Sequence, residues 1–218
     1  MSAVERRTIV THVNEERETA RVEAFSDGVF AIAMTLLVTG IKVPSHEFVA
    51  VKGLPQSLLA LWPSYLAFLT SFVTILVAWV HHHWVFTLIR RIDHPFLYWN
   101  GLLLLCVTFV PFPTAMLSDY LLDPQAGVVA HLYTGTFLAI SLAFDALWRH
   151  ASKRLLPVSQ TSLKNDEVAL ITKQYRFGPV LYLGAFALSF VSEVWSISMC
   201  LFLPMVFALW DRLFKRRW

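Results

Sequence analysis

Polar side chains recur inside otherwise apolar runs of this chain. Asp27 follows Ser26 in "RVEAFSDGVFAIAMTLLVT", Arg21 to Thr39. Three histidines stand together as His81, His82 and His83, Asn100 opens another apolar run, and Asp145 precedes Arg149 by four residues. Such groups could ligate a metal, relay protons or cross-brace helices. The metal option fails on geometry: consecutive helical residues point about 100° apart, so three adjacent histidines cannot converge on one ion. Zinc sites on helices use spacings near i, i+4. No Ser-His-Asp order and no phosphate-binding loop is present, so no enzyme class is indicated and no cofactor is implied. The remaining reading is a network in which Asp27 pairs with one of the histidines and with Asn100. Intramembrane ionisable groups usually face a bundle interior and are often functional.

Such a network needs membrane helices to hold it. The chain has 218 residues, is 56% hydrophobic and 15% charged, and has a mean hydropathy of +0.57. A soluble domain carries roughly a quarter charged residues. The apolar residues gather into continuous runs near the ~20 residues that cross a bilayer, which predicts an all-α polytopic membrane protein rather than an alternating β-barrel. Six spans are expected: about Ala24 to Ile41, Trp62 to Val85, Phe96 to Tyr120, Ala126 to Trp148, Pro179 to Val191 and Trp195 to Trp210. Pro179 suits a helix first turn. "FVAVKGLPQSLLA" reads as an amphipathic interfacial segment. Cys106 and Cys200 both lie in apolar runs and read as small buried hydrophobes rather than a disulfide.

Charge placement tests the span count. Of the 18 Lys and Arg, 16 fall on one side of a six-span arrangement, and only Lys42 and Lys52 on the other. The net charge of +3 therefore reports topology rather than nucleic-acid binding. Both termini are expected in the cytoplasm by the positive-inside rule, with Trp62, Trp99, Trp195 and Trp210 as interface anchors. The expected organisation is a cytoplasmic segment over residues 1–20, a six-helix membrane domain over 21–212 and a basic tail over 213–218. In this orientation Asp27, His81 to His83, Asn100 and Asp145 all fall in one shallow cytoplasmic layer. Asp27 lies about 9 Å past Arg21 at ~1.5 Å per residue.

Along the first span, Phe25, Gly28, Ile32, Thr35, Leu36 and Thr39 recur at three- and four-residue steps and form one face. Copies of this helix around an axis would make an apolar ring at Ile32 with hydroxyl rings further out. Apolar constrictions gate by dewetting, and rings of oxygen partly replace ion hydration. On the residues alone the better fit is a packed core helix whose threonines bond back to their own backbone.

The run "RVEAFSDGVFAIAMTLLV" resembles the Arg-x-x-x-Phe-Ser-Asp signature of the transmembrane protein 175 family, the lysosomal potassium channel and its bacterial six-span relatives. Arg21, Phe25, Ser26 and Asp27 fill it in order. "HHHWVF", Asn100 and "FVPFPT" (Phe109 to Thr114) extend the likeness across about residues 20–212. The resemblance implies a potassium-permeable cation channel, a homotetramer in a bacterial inner membrane, with the first helix of each subunit lining a central pore. Carried over, Ile32 is the constriction, Thr35 the threonine ring, and Leu36 and Thr39 continue the lining. Arg21, Phe25, Ser26, Asp27, a histidine among His81, His82 and His83, and Asn100 become the network that fixes that helix. The chain has no TVGYG-type carbonyl filter and no arginine ladder, so selectivity from side chains should be modest and voltage gating is not expected. A leak-type channel follows. The alternative is a proton- or cation-coupled secondary transporter using Asp27 and the histidine cluster.

Overall fold

The computed structural model describes the backbone of residues 3–89, 91–156 and 163–214, and the side chains of most residues from 15 to 209. The side chains of Arg6, Arg7, Arg90, Lys164, Arg212, Lys215, Arg216 and Arg217, part of the expected basic asymmetry, lie outside the described residues. Among the described residues the chain is all-helical. Helix α1 (Ala3–Leu36) ends in a 3-10 turn (Leu37–Gly40). Two short helices follow, α2 (His46–Lys52) and α3 (Leu54–Leu59), then α4 (Trp62–Leu88), α5 (His94–Phe109), α6 (Pro111–Tyr120), α7 (Ala126–Arg154), α8 (Leu163–Ser189) and α9 (Glu193–Phe214).

Helix starts follow local chemistry. The Ser45 Oγ accepts the Phe48 N–H to cap α2, and the Asp93 Oδ1 accepts the Phe96 N–H at 2.9 Å to cap α5. Prolines occupy the first turns of α3, α4, α5 and α6, where a missing N–H costs nothing. Gly53, at φ +77°, turns the corner between α2 and α3, a left-handed conformation that glycine adopts without strain. The expected interfacial segment is thus a helical pair, and Val51, Leu54 and Leu59 on it are exposed.

Among the described residues four segments are long and apolar enough to cross a membrane: Glu15–Gly40, Trp62–Leu88, His94–Tyr120 and Ala126–Arg154. The third is divided at Val110, where Pro111 and Pro113 bring no N–H to the helical ladder. A hydroxyl relay bridges the break. Tyr133 donates to Ser71 at 3.0 Å, Ser71 to Thr114 at 2.7 Å, and Thr114 to the Val110 carbonyl at 2.8 Å. The expected fifth span is corrected. Pro179 does not start a helix but sits inside α8, which begins at Leu163. The preceding Gly178 has no side chain to clash with the proline ring, so the helix continues through it. The apolar part of the last helix runs Glu193–Leu209. The anticipated boundary at residue 20 falls within α1, where the helical backbone is continuous.

Helix α7 forms the centre, packing against α5, α6, α8 and α9. Trp148, Tyr133 and Phe137 on it are fully buried, and the Trp148 indole donates to Thr172 on α8 at 3.0 Å. Cys200 is buried and Cys106 half-buried, both free thiols. Helix α1 and the 3-10 turn that ends it pack inward through Ser26, Phe30 and Ala33 of the helix and Leu37 of the turn, all at most 1% exposed and spaced four, three and four residues apart.

Candidate functional site: the first helix and what holds it

Two opposite faces of α1 carry the candidate residues. On the inward face the Ser26 hydroxyl donates to the Val22 carbonyl at 2.8 Å, the usual way a serine is satisfied inside a helix. Its oxygen then accepts from the Asn100 Nδ2 at 2.9 Å. The Asn100 Oδ1 lies 2.9 Å from the His82 Nε2. A carboxamide oxygen only accepts, so His82 carries its proton on Nε2. The His82 Nδ1 is buried without a partner. A second proton there would be an unpaired buried N–H, so the geometry fits a neutral ring held between Phe30 and Phe86 at 5.2 and 4.7 Å.

Asp27 does not pair with a histidine. Its Oδ1 accepts from the Trp79 indole N–H at 2.8 Å, and the expected Asp27–histidine–Asn100 contact is corrected accordingly. The cause is rotational. His83 faces Glu23, one turn below Asp27 on α1, at 2.8 Å, and stacks on Trp79. His82 faces α5. His81 turns to the far side of α4, where its Nδ1 lies 3.2 Å from the Tyr175 hydroxyl of α8. The structure thus brings together Ser26, His82 and Asn100, and beside them Asp27 with Trp79 and His83 with Glu23. It leaves Arg21 and Phe25 exposed on α1, with no polar partner for Arg21 among the described residues. Asp145 belongs to a separate place: one oxygen is 2.6 Å from Arg149 and the other is buried without a partner. Trp79 and Glu23 were not singled out from sequence. Trp79 gave a usable signal, an indole donor in mid-span rather than at a membrane edge.

The outward face of α1 is bare. Ile32 is 59% and Leu36 46% exposed, and Gly28, Thr35 and Thr39 are exposed with them. The Thr35 hydroxyl donates to the Ile32 carbonyl at 2.8 Å and that of Thr39 to the Leu36 carbonyl at 2.6 Å. With the protons turned back to the helix, the hydroxyl oxygens keep lone pairs free to accept. At the far end, Ser118 donates to the Gly40 carbonyl and Lys42 pairs with Asp119, tying the end of α1 to α6. At the opposite membrane edge, His150 of α7 lies within 2.9 Å of both oxygens of Asp93. Burial pushes the Asp93 carboxyl up, but the Phe96 N–H and then the His150 hydrogen bond and charge outweigh it and hold the group below its usual 3.8.

Residues 21–111 match the family model described as endosomal/lysosomal potassium channel TMEM175. A potassium channel of Chamaesiphon minutus is 60% identical over 195 residues, covering 89% of this chain and 96% of the relative. The chain belongs to the TMEM175 family. The crystal structure of a lysosomal potassium-selective channel TMEM175 homolog from Chamaesiphon minutus superposes with a TM-score of 0.82, covering 88% of this chain and 97% of that one. The endosomal/lysosomal proton channel TMEM175 of Gallus gallus is 31% identical over 194 residues, 84% of this chain but only 38% of the longer relative. Within the TMEM175 family match, residues 21–111 contain the whole α1–α4–α5 network, from Glu23 to Asn100.

Proposed function

We propose that this chain is the subunit of a potassium-permeable, leak-type cation channel. Four copies assemble in a bacterial inner membrane, each with six spans and both termini cytoplasmic. The α1 helices surround the axis. Ile32 forms the apolar constriction, Thr35 the hydroxyl ring, and Leu36 and Thr39 continue the lining. One observation carries the reading: α1 buries one face completely and leaves the opposite stripe of isoleucine, leucine and threonine bare. A membrane helix with a half-polar bare stripe is best satisfied against an aqueous path shared with other copies.

In this mechanism an apolar ring at Ile32 lets the path dewet, setting the resistance, while threonine oxygens stand in for part of a cation's hydration shell. Without a carbonyl filter the discrimination between potassium and sodium is modest. The role of Ser26, Asp27, His82, His83 and Asn100 is to lock α1 against α4 and α5 so that the stripe keeps its angle. Arg21 and Phe25, bare in the single chain, meet neighbouring copies. The geometry favours a channel over the coupled carrier, because Asp27 and the three histidines have separate partners and form no common relay. Nothing in the network resembles a hydrolytic constellation.

Potassium flux into proteoliposomes tests this. Ile32→Asn, which wets the ring, should raise the flux severalfold, and unchanged flux would remove Ile32 from the path. The reversal potential in a potassium–sodium gradient should favour potassium by a small margin.

A further inference from the structure

Helix α8 turns a face of two chemistries away from the rest of the chain. Its inward side is fixed by the centre of the subunit, where Ile171, Gln174, Tyr175, Gly178 and Tyr182 are buried. The Trp148 indole donates to Thr172 at 3.0 Å, and the Tyr175 ring meets Trp148 edge-on at 5.3 Å and Phe144 at 5.0 Å. These contacts set the rotation of the helix. Lys173, Arg176, Phe177, Val180 and Leu183 therefore share the outer face, and all five are exposed. Helix α8 packs chiefly on α7 and α9, whereas α1 packs chiefly on α4 and α5, so this face is separate from the proposed pore lining.

Charge divides the face into two parts. Lys173 and Arg176 stand three residues apart, and neither pairs with a carboxylate among the described residues. Two like charges at this spacing repel, and an anion between them relieves the repulsion. The apolar part follows at once. Phe177 is 48%, Val180 62% and Leu183 53% exposed, and Ala187 continues the line. From Phe177 to Ala187 the helix rises ~15 Å. That is half of the ~30 Å hydrocarbon core, the depth of one leaflet. A soluble anion would satisfy the cations and leave Phe177, Val180 and Leu183 uncovered. A zwitterionic headgroup would bring its own cation against the pair. A net-negative headgroup on acyl chains suits both parts.

We propose that this face of α8 binds an anionic phospholipid. The phosphate sits between the Lys173 ammonium and the Arg176 guanidinium, and one acyl chain lies along Phe177, Val180 and Leu183. The guanidinium takes phosphate oxygens in a fork, while the ammonium acts as a mobile point charge. In the orientation proposed above this edge faces the cytoplasmic leaflet, where basic residues draw anionic headgroups. Only the choice of leaflet rests on that orientation.

The test is electron spin resonance of the full-length chain in phosphatidylcholine vesicles carrying a trace of chain-labelled phosphatidylglycerol or phosphatidylcholine. Lipid held at the protein surface gives a motionally restricted signal. The wild type should restrict phosphatidylglycerol in severalfold preference to phosphatidylcholine. The preference should shrink in high salt and survive inorganic phosphate at matched ionic strength. Lys173→Gln with Arg176→Gln should remove most of it, at about fivefold per cation. Lys173→Arg with Arg176→Lys should keep it, and so should Lys52→Gln, which removes an exposed cation elsewhere. Gel filtration and circular dichroism establish that each variant folds, and if the double glutamine variant does not, Arg176→Gln alone decides. No preference in the wild type, an undiminished preference in the folded glutamine variant, or an equal loss in Lys52→Gln would each overturn the proposal. Displacement by inorganic phosphate would overturn it too, by making the site one for a soluble anion. The vesicles carry the label in both leaflets, so a reversed orientation leaves these results unchanged, and a failure of the channel reading shows in flux rather than in this signal.

Discussion

Helices α1 and α7 are both long, apolar and membrane-length, yet their surroundings differ. Half of the most apolar window of α7 is buried within the chain, against 22% for α1. Helix α7 is a hub packed against four other helices of its own subunit, with Tyr133, Phe137 and Trp148 locked in ring contacts. Helix α1 is attached by one face and braced by polar bonds, and its other face is bare in the single chain. The contrast teaches that apolarity alone does not tell a central helix from a peripheral one. What separates them is how much of the helix finds neighbours within the chain.

That contrast can be broken in several ways. The largest effect is expected at the hub. Trp148→Ala removes a fully buried indole and its bond to Thr172, and should cost about 3–5 kcal/mol by denaturant unfolding in detergent. Ile32→Ala should cost under about 1 kcal/mol by the same measurement while altering flux, because more than half of the residue is bare in the subunit. Equal costs would erase the distinction between the two helices. Next comes the brace. Asn100→Ala strands the His82 Nε2–H and removes the donor to Ser26, for about 1–3 kcal/mol, and should loosen α1 enough to change flux.

A smaller effect is expected where α5 starts. Asp93→Ala loses the cap of the helix, for about 1 kcal/mol. Since the folded carboxyl is held below 3.8, its contribution is full above that value and is lost as pH falls through the lowered one. Unfolding midpoints of the wild type and Asp93→Asn should therefore differ near neutral pH and converge in strong acid. The smallest effect belongs to the exposed Lys42–Asp119 pair. Lys42→Gln should cost about 0.5 kcal/mol or less, shrinking further in high salt, and a cost of several kcal/mol would mean that the outer end of α1 is clamped far more firmly than the geometry suggests.

The helical class and the stripe on α1 were legible because both rest on local periodicity. Ile32, Thr35, Leu36 and Thr39 share a face by spacing alone, and the bare face of α1 is the one they occupy. The shallow polar layer was legible only in depth. Position along a helix can be counted from sequence, but the angle at which one helix meets the next cannot, so Asp145 and His81 were grouped with Asp27 when their partners are Arg149 and Tyr175, away from it. Trp79 was overlooked because tryptophans in membrane chains are first read as edge anchors. The start of α8 was misplaced because a proline reads as punctuation, whereas Gly178 beside it lets the helix run on.

The adjacency of His81, His82 and His83 has a consequence for how this chain tolerates change. Each ring has its own partner, Tyr175, Asn100 and Glu23, on three different helices. One residue inserted upstream in α4 would advance every ring by about 100° and deprive all three helices of their contacts together. The triplet works as a rotational index for α4, so this stretch should accept exchanges of side chain far more readily than any gain or loss in length.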